Sequence, residues 1–310
     1  MKRLMPALLS AILLLATLTA CDHKELCYTH PHFTTVRVAF DWSRVVETER
    51  PEGMRVHFYP TDAAGKVWIF DFPGGRDATI EIPQNHYRVI CFNYDVEGVT
   101  WRSDDHFDLM TATTPTVTAP DNESASLTPS ILIGHSIAEI DLSDIPEGEE
   151  RTVTLTPARM TCRYTYEVRG LQNTGQIAEI RASLSGMADE LIMADDRLPH
   201  NRSERLLFGG SLNGKNIVGG FYTFGRSADP DVRHTFRLYI KSHTGDVHII
   251  SHDVTEQVRA VPTIGHLADV HLIIDTDFTI PNEPGSGSGS DAGFDVGVDD
   301  WDDENSDIEL

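Results

Sequence analysis

From Thr34 onward, apolar and polar side chains alternate with a period of two. Val36, Val38, Phe40 and Trp42 fall on one side and Arg37 and Asp41 on the other, with Ala39 between them. Successive side chains of an extended chain point to opposite faces, so this pattern predicts a half-buried strand. It recurs along the chain. Val56, Phe58 and Pro60 alternate with His57 and Tyr59, and strand-like residues 67–70 and 78–82 flank a turn at Pro73-Gly74-Gly75. Tyr87, Val89, Cys91 and Phe92 continue the series, and Glu97-Gly98 turns the chain into Val99-Thr100-Trp101. Residues 111–129 are rich in Thr and Pro and read as a long crossover loop, with further strands at 130–134 and 151–156. After Pro157 a second series begins, in which Cys162, Tyr164, Tyr166 and Val168 alternate with Arg163, Thr165 and Glu167. Residues 177–184, 221–224, 235–240, 246–250 and 268–274 share its β-branched and aromatic content. Residues 185–216 are ambiguous: Met187 to Met193 fits a short helix, and Gly209-Gly210 and Gly219-Gly220 fit turns or bulges. Short strands every roughly 8–12 residues predict an all-β chain of two tandem antiparallel β-sandwiches, split near residue 157.

Before the first strand stands a different pattern. Lys2 and Arg3 precede an apolar run at residues 8–18, closed by Leu18-Thr19-Ala20-Cys21. A basic start, a short apolar core and small residues before a cysteine make a secretory signal peptide. The run is too short for the roughly 20 residues that span a bilayer. Its end is similar to the bacterial lipobox, which implies that Cys21 becomes the acylated first residue of the mature protein. The expected organisation is a signal peptide at 1–20, a lipid tether at 21–32, sandwiches at 33–157 and 158–278, and a disordered acidic tail at 279–310. The tail is polar, with too little apolar surface to offset the entropy of ordering it.

Charge narrows the partners. The formal charge is −23, and ten acids follow Pro281 with no Lys or Arg among them. An acidic surface repels phosphate backbones, which argues against nucleic acid. Past Cys21 the cysteines are Cys27, Cys91 and Cys162, so at most one internal disulfide forms. Cys91, within Val89-Ile90-Cys91-Phe92, reads as a small buried hydrophobe.

Candidate chemistry is sparse. Cys27, His30 and His32 offer zinc ligands in a short span, but a structural site needs a fourth, and the choice among His106, His200 and His271 is arbitrary. No metal or cofactor is therefore expected. G-x-S-x-G, H-E-x-x-H and the phosphate-loop pattern do not occur, so no catalytic residue is assigned. Trp42, Trp68 and Trp101 lie in strand-like stretches. Core packing is one reading of them, and a platform for sugar rings is the other.

Cys27-Tyr28-Thr29-His30-Pro31-His32, then Val36-Arg37-Val38-Ala39-Phe40-Asp41-Trp42-Ser43, and later Tyr87-Arg88-Val89-Ile90-Cys91-Phe92-Asn93-Tyr94-Asp95 carry a family likeness. Over residues 21–275 the chain resembles a Bacteroidales lipoprotein family similar to the minor fimbrial anchors of the FimB and Mfa type. The resemblance implies two transthyretin-like sandwiches, a lipid-anchored place at the outer membrane, and a non-catalytic role in anchoring, capping or regulating a pilus. It implies fimbrillin-like subunits as partners and carries over only Cys21. The alternative is a surface glycan-binding lipoprotein that uses the tryptophan platform.

Overall fold

A computed structural model describes residues 32–62, 65–146, 148–199 and 204–281. Cys21, Cys27, His30, His200, the signal peptide and the acidic segment from Asn282 lie outside the described residues. The fold is almost entirely β, with a single six-residue α-helix, Thr255–Ala260, among the described residues.

Two sandwiches repeat one arrangement. In the first, Phe33–Phe40 lies between Glu150–Leu155, parallel to it, and Ala78–Pro83, antiparallel. In the second, Cys162–Arg169 lies between Asp269–Asp275, parallel, and Asn216–Thr223, antiparallel. Each unit thus sets its opening strand beside its closing one. Facing the first small sheet is a five-stranded one in the order Ala158–Arg159, Ile133–Asp141, His86–Asn93, Gly53–Pro60, Trp68–Pro73. Val36, Val38 and Phe40 meet Met54, Val56, Phe58, Val89 and Cys91 across this core. The inner positions of the alternating pattern fill it. Burial keeps the Cys91 thiol protonated, its pKa pushed up to about 12. Cys91 and Cys162 are both free.

The polar-looking side of the alternation is also buried. His57 and Tyr59 are 2% and 3% exposed, because the outer face of Gly53–Pro60 is covered. Ile90, Phe92, Phe107, Met110 and Ala112 join Ala188, Leu191, Met193 and Phe224 from the second half of the chain in a separate apolar cluster. A three-stranded sheet roofs it, with Thr111–Thr113 between Thr100–Arg102 and Glu190–Ile192.

The segment read as a crossover loop is therefore strand. Besides Thr111–Thr113 it forms a hairpin, Thr116–Thr118 and Ser124–Leu127, which extends a sheet of the second sandwich. That sheet runs Val247–Asp253, Thr235–Ser242, Ile177–Met187, Glu204–Gly209, Ser124–Leu127, Thr116–Thr118. The short helix expected at Met187 to Met193 is replaced by the end of Ile177–Met187 and by Glu190–Ile192, whose backbone groups pair across the junction. Trp42 stands in a 3₁₀ turn, Trp42–Arg44, capped by the Asp41 carboxylate, which accepts from the Ser43 amide. At the far end the packed body continues to Ile280, which is fully buried, and the Asn173 amide donates to its carbonyl.

Gly219 and Gly220 lie inside Asn216–Thr223 and make no turn. Their reason is the Tyr166 ring: a Cβ on Gly219 would stand 2.5 Å from Tyr166 Cε1. Gly219→Val is expected to destabilise the second sandwich by about 1–3 kcal/mol through this overlap. A lowered urea midpoint checks it, and an unchanged midpoint would show that the ring gives way freely.

Candidate functional site

The structure scatters the proposed metal ligands. His106 lies beside Asp105, 3.7 Å away, on the first sandwich, whereas His271 meets the Thr165 hydroxyl at 2.9 Å on the second. Among the described residues no group of three or more His, Cys, Asp or Glu side chains is arranged to hold an ion. The tryptophans are half-buried. Trp42 stacks on Phe40 and donates Nε1–H to the Gly75 carbonyl at 3.1 Å, and Trp101 lies 4.1 Å from Phe92. Trp68 packs on the first core and meets Phe33 edge to face. Their packing leaves no shared aromatic platform.

Titratable groups converge in one cleft of about 1090 Å³, lined by Asp195–Pro199, Arg226–Pro230, Arg259 and His266. His266 Nε2 is 2.9 Å from Asp196 Oδ1, and Nδ1 is 2.5 Å from the Phe224 carbonyl. Burial draws the imidazole pKa down, but Asp196 and the Cys162 sulfur beside it win, raising it to about 9. Both ring nitrogens face acceptors, so the protonated ring donates twice. It has no lone pair left to take a proton from a nucleophile. The Cys162 thiol is buried and donates to the His266 carbonyl at 3.3 Å, so it does not point at the ring as a nucleophile. This geometry is a latch between the 195–196 turn and the second sandwich, not a proton relay.

A second charged cluster ties the halves of the chain together. The hairpin turn between Thr116–Thr118 and Ser124–Leu127 places Asp121 over the outer face of the second sandwich. Asp121 Oδ2 accepts from Arg205 Nη1 at 2.6 Å, Arg237 Nη1 at 2.7 Å and Tyr239 OH at 2.9 Å. Glu123 adds contacts to both arginines. Burial raises the Asp121 carboxyl, yet hydrogen bonds from Tyr239 and the arginines outweigh it and leave the pKa below the usual carboxylate range. Ala119, Ala125, Leu207 and Tyr239 pack beneath. Sequence reasoning missed this site because its members lie some 80 to 120 residues apart; the one local signal is Asp121-Asn122, where Asn122 takes φ +61°.

What remains for recognition is backbone at the sheet edges. The Asp269–Asp275 edge is partly occupied: the Gln257 amide donates to the Ile273 carbonyl and accepts from the Ile273 N–H, both at 2.9 Å. Ala158–Arg159, Ser211–Asn213 and Thr116–Thr118 are too short to hold a partner strand, and Ala78–Pro83 and Trp68–Pro73 each end in proline. Glu150–Leu155 and Val247–Asp253 are the long, proline-free edges. Such edges present unpaired donors and acceptors at the spacing of another strand.

The fold and its chemistry define a tandem β-sandwich protein built around packing and backbone edges. The sequence profile of Domain of unknown function (DUF5119) matches residues 20–209, more than half of the chain, and the chain belongs to this family. Over 185 residues it is 24% identical to a protein of Bacteroides ovatus described as "Putative fimbrium anchoring subunit Fim4B". That alignment covers 59% of this chain and 53% of the other, so the chain spans about half the length of the curated relative it matches. A crystal structure of a "putative adhesin" from Bacteroides ovatus superposes with a TM-score of 0.62 at 19% identity, over 82% of this chain and 95% of that one. The fold is therefore shared with that adhesin. The fimbrial anchor protein Mfa2 from Porphyromonas gingivalis matches at a TM-score of 0.47 and 12% identity, over 78% and 91% of the two chains.

Proposed function

We propose that this protein is a non-catalytic lipoprotein of the outer membrane that anchors, caps or assists a pilus. Acyl chains on Cys21 moor it, and open strand edges pair with fimbrillin-like subunits. The observation that carries the reading is a body that offers proline-free sheet edges, while its one converging set of ionisable groups is locked into a latch. The description of the Bacteroides ovatus relative as a fimbrium anchoring subunit supports it. Main-chain hydrogen bonds supply affinity in such pairing, and alternate side chains set the register.

Each buried CH₂ of an acyl chain adds about 0.8 kcal/mol to membrane binding. Cys21→Ser is accordingly expected to move the protein from the membrane fraction to the soluble fraction. Retention in the membrane would remove the anchoring role. On intact cells, cross-linking of the wild-type chain is expected to recover fimbrillin-like subunits. Recovery of sugar-transport components instead would support the glycan-binding alternative.

A further inference from the structure

Val247–Asp253 is the longest regular edge in the second sandwich. All seven of its residues pair with Thr235–Ser242 in unbroken register. It holds no Pro, Gly or Lys, the devices that blunt an edge. Among the described residues, no side chain caps its outer backbone groups as Gln257 caps Ile273. Ile249 is 47% exposed on it, and no acidic residue stands between Val247 and His252 in a chain of 48 acids.

The chain leaves the described body beside this edge. The Phe278 and His248 rings are 5.7 Å apart, and Ile280 N–H donates to the Gln172 carbonyl at 3.1 Å. Beyond Pro281 come three Gly-Ser pairs at residues 285–290, then Gly293-Phe294-Asp295-Val296-Gly297-Val298. Phe294, Val296 and Val298 alternate with small or acidic residues, the period of a strand with one apolar face. The intervening stretch of about 12 residues has a root-mean-square reach of roughly 20 Å for a Gly/Ser-rich chain. A seven-residue strand is itself about 20 Å long. Tethering at that length gives an effective concentration in the millimolar range.

We infer that residues 293–298 add as a seventh strand to the Val247–Asp253 edge of the same molecule, a self-capping strap on the second sandwich. The apolar side chains of the strap extend the row containing Ile249, and its acids meet an edge free of carboxylates. This assignment does not depend on Cys21 or on a pilus partner.

Hydrogen exchange on the full-length protein in detergent tests it. Val296→Pro removes a strand N–H outside the packed body, and Ser288→Pro makes the same change in the linker. Val296→Pro is expected to speed exchange of the outer amides of residues 247–252 at least tenfold, and Ser288→Pro to leave them near wild type. Equal exchange in wild type and Val296→Pro would overturn the strap. Protection that rises with protein concentration would also overturn it, placing the segment on the edge of a second copy.

Discussion

Asp121→Ala is expected to destabilise the protein by about 3–5 kcal/mol, the range for breaking a buried ion pair by removing one partner. The side chains of Asp121 and Arg205 are each 10% exposed, so deletion of the carboxylate strands a guanidinium away from water. It also leaves the Tyr239 hydroxyl without its 2.9 Å acceptor. Arg237, at 32% exposure, retains solvent and Glu123 and suffers less. Because the hairpin belongs to the first half of the chain and the arginines to the second, the change should also uncouple the sandwiches. Urea unfolding followed by tryptophan fluorescence is expected to split from one transition into two, the hallmark of domains that no longer unfold together. Asp121→Leu combined with Arg205→Met removes both charges and should recover most of the loss. A single, unshifted transition for Asp121→Ala would mean that the apolar junction alone couples the halves.

The same cluster shows where sequence pattern stops being informative. Val36, Val38 and Phe40 are legible because one local rule, period-two alternation, places them in the core they fill. His57 and Tyr59 obey that rule on paper, as the outward face, yet a second apolar layer built partly from Leu191, Met193 and Phe224 covers them. Nothing within ten residues of His57 announces that cover. Residues 111–129 mislead in another way: threonine favours strands, but the prolines that end each short strand dominate the reading and suggest a loop. The strand character becomes visible only with its partners, since Ser126 pairs with Leu206 and Ala112 with Leu191. Met187 to Met193 looks helical because Met, Ala, Glu and Leu are good helix formers. Backbone pairing to Thr111–Thr113 overrides that preference. Tyr166 supplies the missing explanation for Gly219, since a ring from the neighbouring strand lies where a side chain would go. Of the candidate site, the exposed edges follow from strand composition. The latch and the clamp follow from chain topology, which a local pattern does not encode.

Stability should fall on both sides of neutrality, for opposite reasons that separate residues report. His57, His135 and His234 have pKa values lowered chiefly by burial, so the folded state holds them neutral. A lowered folded pKa means that the unfolded chain binds protons first as pH drops. Their contribution is therefore intact above the unfolded value of about 6.5 and is lost as pH falls below it toward the folded values. His234 is fully buried with Nε2 unpartnered, so charging it there is costly. His266 behaves in reverse. Its folded pKa is raised to about 9, so its stabilisation is complete below pH 6.5 and disappears as pH rises through 9. The side chain is 7% exposed, and the shift corresponds to roughly 3 kcal/mol. His266→Gln keeps a donor for one acceptor only and cannot carry the charge. Its urea midpoint is expected to drop by that order at pH 6 and to meet the wild-type curve near pH 10, with the acidic limb unchanged. Asp196→Asn should flatten the alkaline limb in the same way by removing the partner at 2.9 Å. If the wild-type midpoint is constant from pH 7 to pH 10, His266 is neutral in the folded protein and the latch is not an ion pair.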